Sequence, residues 1–204
     1  MDLRAIQKAN RRLNSARAAV ETLKKCRDME QFHEIWFEFL IAAKSVYTSL
    51  ETGSKTTPQS RQWYGGKAAE RRNDELLQYV YQARNDDEHG LGDVVEHVPG
   101  RFTLGVGPGA PGYTPEFSRS LRVENMSIEK GRITVEATSL DGKRIGIKRT
   151  PDHVALSPVD ARGVVYQPPT KHLGKSLPSN LPLPVAELMI AYLAGMVAEA
   201  GKLS

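Results

Sequence analysis

The sequence predicts an α+β protein: a mainly α-helical bundle with a small antiparallel β excursion before the C-terminal helix. Three observations carry this. Residues 3–89 place apolar side chains every three or four positions, residues 94–182 hold most of the prolines and several runs of period two, and a helical period returns towards the C-terminus. The last helix has an apolar face that the earlier helices can cover, so a β insertion within one bundle is more economical than independent domains. The expected organisation is a helical bundle over 1–92, an antiparallel β insertion over 93–182, and a C-terminal helix over 183–204 that packs back on the bundle.

Asp2 can cap a first helix whose stripe Leu3, Ile6, Ala9, Leu13, Ala16, Val20 and Leu23 alternates steps of three and four. A second helix is expected from about Glu30 to Glu51. Its residues Phe32, Ile35, Trp36, Phe39, Leu40, Ala43, Val46, Tyr47 and Leu50 form a face wide enough to be central in a bundle. A loop by composition leads to Pro58, suited to the start of a third helix that runs to about Arg72. Gly65-Gly66 weakens that helix and suggests close approach of another backbone, with Trp63 and Tyr64 packing at the contact rather than stacking on bases. Asn73 or Asp74 then caps a fourth helix with core side Leu76, Leu77, Val80 and Ala83, ended by Gly90 and Gly92.

Strands are predicted near Phe102–Val106, Leu121–Ile128, Arg132–Ser139, Arg144–Thr150, His153–Leu156 and Val164–Tyr166. Lys130-Gly131 and Asp141-Gly142 supply turns, which makes 121–150 a three-stranded meander. The glycine-rich GVGPGAPG over 105–112 lacks the Lys-Ser/Thr ending of a P-loop and is read as a loop. A fifth helix from about Pro184 to Gly201 presents Ala186, Met189, Leu193, Met196, Val197 and Ala200.

Composition narrows the function classes. With 40% hydrophobic and 25% charged residues the chain is an ordinary globular one. No apolar run approaches the length of a bilayer span and the N-terminus lacks a secretory core, so a cytoplasmic protein without a membrane partner is expected. The single cysteine, Cys26, excludes an internal disulfide and a multi-cysteine zinc site. None of the five histidines has HExxH spacing, so neither metal nor cofactor is expected; His33 is read as a helix-flank residue. Residues 1–27 carry eight Lys or Arg against Asp2 and Glu21. Arg4, Lys8, Arg11, Arg12, Arg17 and Lys24 on that helix are candidate RNA-binding residues, since such a face collects phosphates by counterion release; a solvated helix face is the alternative.

The fourth helix ends in Tyr81-Gln82-Ala83-Arg84-Asn85-Asp86-Asp87-Glu88-His89-Gly90, where a cation, an amide and an imidazole fall within two turns. The plainer reading is a solvated helix end with Arg84 paired to Asp87 or Glu88. At about 100° per residue, His89 points roughly opposite Val80 while Arg84 lies about 40° from it, at the flank of the core. One chain therefore has difficulty bringing both to a single phosphate. Two copies meeting across a twofold axis combine both sets.

Arg84-Asn85-x-x-x-His89 at the end of a bundle helix resembles the Rx4-6H signature of the HEPN superfamily (higher eukaryote and prokaryote nucleotide-binding domains). Many members are metal-independent ribonucleases of toxin, antiphage and CRISPR-associated systems. The resemblance covers residues 1–92 and the last helix, not the β excursion. It implies that Arg84 neutralises the scissile phosphate, Asn85 positions the Arg or the phosphate, and His89 is general base or acid for attack by the ribose 2′-OH. It further implies an RNA substrate, a homodimer, and an antitoxin or regulatory protein as a partner. Degenerate relatives imply the alternative, a non-catalytic homodimeric binding or scaffold protein. Asp86, Asp87 and Glu88 set three carboxylates between Arg84 and His89, where they repel a phosphate backbone or favour a protonated His89.

Overall fold

The computed structural model describes residues 1–89, 93–106, 121–129, 132–139, 145–161 and 163–204, and for 85–89, 102–106, 121–129, 132–139 and 145–149 it describes the backbone alone. Among the described residues the chain forms helices α1 (Leu3–Leu23), α2 (Met29–Ser54), α3 (Pro58–Asn73), α4 (Glu75–His89) and α5 (Pro182–Gly201). Between α4 and α5 lie strands β1 (Val95–Val98), β2 (Arg101–Val106), β3 (Leu121–Glu129), β4 (Arg132–Ser139), β5 (Ile145–Thr150), β6 (His153–Leu156), β7 (Val159–Ala161), β8 (Val164–Tyr166), β9 (Lys171–His172) and β10 (Lys175–Ser176). The predicted α+β class, mostly helical with small antiparallel strand pairs, is what the structure has.

Side chains at the helix starts explain where each helix begins. Asp2 accepts the Arg4 N–H at 2.7 Å, Asp28 accepts the Gln31 N–H at 3.2 Å, and Thr57 accepts the Ser60 N–H at 3.2 Å ahead of Pro58. Each satisfies a donor that the first helical turn leaves without an intrahelical partner. The stripes then bury as their spacing requires. Ile6, Ala9, Leu13, Ala16, Val20 and Leu23 of α1 close on α2, whose Trp36, Phe39, Leu40 and Leu50 are the bulk of the core. Leu76, Leu77 and Val80 of α4 and Val185, Met189, Leu193 and Met196 of α5 complete it.

Gly53, near the end of α2, is where α1 and α2 come closest. Its carbonyl accepts the Asp2 N–H at 3.1 Å, and a Cβ built on it would overlap the Ala5 methyl, which its own helix holds in place. Gly53→Ala is therefore expected to cost about 1–3 kcal/mol by overpacking, even though alanine is the better helix former. Urea unfolding measures this, and an unchanged midpoint would show that the two helices separate freely.

The chain divides into two compact units. One comprises Met1–His97 with Val154–Ser204, the other Val98–His153. In the second, β3 pairs with β4 and β2 pairs with β5, both antiparallel. The predicted 121–150 meander is thus corrected: β5 lies beside β2, not β4. The register explains the choice, setting Leu104 opposite Ile147 and Val106 opposite Ile145, so that apolar positions face each other across the ladder. The turns expected at Lys130-Gly131 and Asp141-Gly142, most of the 105–112 loop, and the helix stops Gly90 and Gly92 lie outside the described residues.

Three other expectations change. Gly65 and Gly66 are exposed with open space beside them, and α3 meets its neighbours through Tyr64, Lys67 and Glu70 instead. The last helix starts at Pro182, earlier than Pro184. It is also long and apolar enough to cross a bilayer by length and composition, with mean hydropathy 1.5, where the sequence was expected to hold no such run. Its large apolar side chains Met189, Leu193 and Met196 contribute to that value and are buried in the bundle.

Candidate functional site

Helix α4 is held at its start by two carboxylates. Asp74, buried at the α3–α4 junction, accepts the Leu77 N–H at 2.9 Å as an N-cap. The same carboxylate accepts the Leu173 N–H at 2.6 Å and meets His172 Nδ1 at 3.0 Å. Because an ionised carboxylate only accepts, His172 carries its proton on Nδ1 here. Glu75 accepts from the Thr170 N–H (3.0 Å), the Thr170 hydroxyl (2.8 Å) and the Lys171 N–H (3.1 Å). Together they dock the β9–β10 hairpin onto α4. Its turn, Leu173-Gly174, has φ of 48° and 76°, so a leucine occupies the left-handed region that favours glycine. The bond from Leu173 N–H to Asp74 offsets that cost.

The Thr170 N–H and hydroxyl, with Lys171 N–H, hold the Glu75 carboxyl below the usual carboxylate range. A group whose folded pKa is lowered contributes stability that is present above its unfolded pKa and lost as pH falls through the folded value. The difference in thermal midpoint between wild type and Glu75→Ala should therefore be constant from neutral pH to about pH 5, and shrink as the pH falls below about 4. A difference unchanged into strong acid would mean that Glu75 acts without its charge.

Further along α4, Val80 and Ala83 are fully buried and fix the rotation of the helix's last two turns. Arg84 is half-buried at the flank of that core face. The helix continues unbroken through His89, so on geometry alone Arg84 and His89 project about 140° apart and about 7.5 Å along the axis. The side chains of Asn85, Asp86, Asp87, Glu88 and His89 lie outside the described residues.

The six basic candidates, five on α1 and Lys24 at its C-cap, are exposed. Arg4, Lys8, Arg11 and Arg12 share a face about 100° wide, while Arg17 and Lys24 lie across the core stripe, at least about 120° away. Lys24 bridges Glu21 at 2.8 Å and Glu187 of α5 at 2.9 Å. Those carboxylates keep its pKa raised.

Beside Arg84 the structure assembles a cluster that belongs to no sequence motif. Tyr47 of α2, Tyr64 and Arg71 of α3, Tyr81 of α4 and Tyr192 of α5 converge. The Arg71 guanidinium lies 3.8 Å from the Tyr81 ring centre and 5.0 Å from that of Tyr47; Lys44 lies 5.2 Å from Tyr81. Burial, with Glu51 nearby, pushes the Tyr64 hydroxyl up to about 12. Burial likewise raises Tyr47, and burial and the bond it donates to Glu70 at 2.7 Å raise Tyr192. These hydroxyls stay protonated, and those of Tyr64 and Tyr192 donate to Glu51 and Glu70. On the far side, Lys67 links Glu70 at 3.3 Å and Glu199 at 3.1 Å, and Glu199 accepts the Trp63 indole N–H at 3.0 Å. Trp63 is thus a packing residue between α3 and α5. Arg71 reads in sequence as a cation complementing the end of α3; no spacing along the chain joins it to Tyr47 or Tyr81.

The chain matches no protein-family model, no curated protein and no solved structure.

Proposed function

We propose that the chain is a metal-independent endoribonuclease of the HEPN type, acting as a homodimer. The observation that carries the reading is the unbroken α4, which holds Arg84 and the backbone of Asn85 and His89 on one rigid element. The exposed Arg4–Lys8–Arg11–Arg12 face adds a surface for collecting phosphates. In the reaction, Arg84 neutralises the scissile phosphate and Asn85 steadies it. One imidazole takes the proton of the 2′-OH as its oxygen bonds to phosphorus; the P–O5′ bond breaks and the leaving oxygen gains a proton. The products are a 2′,3′-cyclic phosphate and a 5′-OH. The nucleophile comes from the substrate, and only RNA carries it. Because Arg84 and His89 diverge on one helix, each site takes them from different copies. A toxin or antiphage role, with an antitoxin partner, follows from the resemblance alone.

The acidic run Asp86 to Glu88 favours a second reading, a non-catalytic homodimeric scaffold in which the same face docks a partner. Incubation of single-stranded RNA with the protein in excess chelator separates the two. The first reading expects cleavage to 2′,3′-cyclic phosphate ends, with a 2′-O-methyl substrate left intact. A folded dimer that leaves both untouched overturns it and leaves the scaffold.

A further inference from the structure

Arg71 has no part in the reaction just described, yet it occupies a particular place. It is half-buried in the last turn of α3, stacked on Tyr81 and against the Tyr47 ring, with Lys44 approaching the same Tyr81 ring from α2. Two cations on one ring repel each other. Among the described residues no carboxylate forms an ion pair with Arg71. Of the described carboxylates near Arg71, Glu70 is engaged by the Tyr192 hydroxyl and Lys67, and Glu51 by the Tyr64 hydroxyl at 3.5 Å. The Tyr47 hydroxyl is buried and makes no hydrogen bond of ordinary length.

A guanidinium lying over an aromatic ring keeps N–H donors that suit a phosphate bidentately. Arg71 has the ring, the donors and partial access, and lacks the anion. Arg84 is three residues from Tyr81 on α4, about 4.5 Å along the axis and about 60° around it. Cations on neighbouring turns of three helices suit a ligand with repeated phosphates better than a single ion. We propose that Arg71 and Lys44, set in place by Tyr81 and Tyr47, form a subsite that holds a backbone phosphate of single-stranded RNA next to the one bound at Arg84. The proposal rests on the reading of α4 as an RNA-facing helix, but not on cleavage.

The test is binding of a fluorescent 2′-O-methyl oligonucleotide, which cannot be cleaved, to the full chain by anisotropy at several salt concentrations. Arg71→Ala should weaken binding about tenfold and Lys44→Gln several-fold, while the exposed control Arg27→Ala stays within about twofold. The slope of log affinity against log salt should fall by about 0.7 for each phosphate that is no longer neutralised. Arg71→Ala binding as tightly as the control overturns the subsite. Should that variant lose its cooperative thermal transition, Lys44→Gln decides, and an unchanged affinity and slope overturn it equally. Displacement by inorganic phosphate well beyond that by chloride at equal ionic strength would overturn the assignment to a strand. A wild type that cleaves nothing yet loses binding in these variants removes the ribonuclease reading and keeps the subsite. A cleaving wild type whose variants bind normally does the reverse.

Discussion

Arg84→Ala and His89→Ala, each alone, are expected to reduce RNA cleavage by at least about 100-fold while leaving the fold intact. Loss of a general acid or base costs about 10²–10⁴-fold, and loss of a group that stabilises developing phosphate charge costs a comparable factor. The Arg84 substitution removes no core side chain, since Arg84 is half-buried at the flank of the core face formed by Val80 and Ala83. The two variants then become informative together. If each site draws Arg84 from one copy and His89 from the other, mixing and re-equilibrating them rebuilds one complete site in each mixed dimer. Activity should return to about a quarter of wild type at random pairing. A mixture as inactive as its parents, with subunit exchange verified, would mean that both residues act within one chain. The roughly 140° between them on a straight helix would then need a different explanation.

Asp74→Ala should be the most damaging single polar substitution among the described residues, costing about 3 kcal/mol in urea unfolding. Its carboxylate caps α4 through Leu77 N–H, and holds the β9–β10 hairpin through Leu173 N–H and His172. A lost N-cap costs about 1 kcal/mol and a lost bond to a charged acceptor about 1.5–3 kcal/mol, with incomplete additivity among neighbours. Asp74→Asn keeps an acceptor for the cap but not the charge, and should fall between the two. A loss under about 1 kcal/mol in the alanine variant would show that water replaces all three bonds. It would also remove the reason for Leu173 to hold a positive φ.

How much of this was legible differs from feature to feature. The stripe of α1, the cap Asp2 and a cap at Asn73 or Asp74 stand in the sequence because a helix is a local object: its period and the donors of its first turn involve residues a few positions apart. The meander failed for the opposite reason. Alternation marked β5 as a strand, but a strand's partner is chosen by register with another strand, and β2 offered matching apolar positions. The hairpin of residues 171–176 left no turn signature, since Leu173-Gly174 is not a usual turn pair; Asp74, 99 positions earlier than Leu173, stabilises its conformation.

The candidate site divides along the same line. By itself the sequence determined the helical period, the basic face of α1, the Arg84-Asn85-x-x-x-His89 spacing and the angle at which its two ends diverge. Each follows from the fixed rotation and rise of consecutive residues. Only the tertiary structure decided that Arg71 lies on Tyr81, that Lys44 joins it, and that Lys24 bridges Glu21 and Glu187. Most of those contacts join residues from different helices. Their distances are set by how buried apolar faces pack, which no spacing along the chain records.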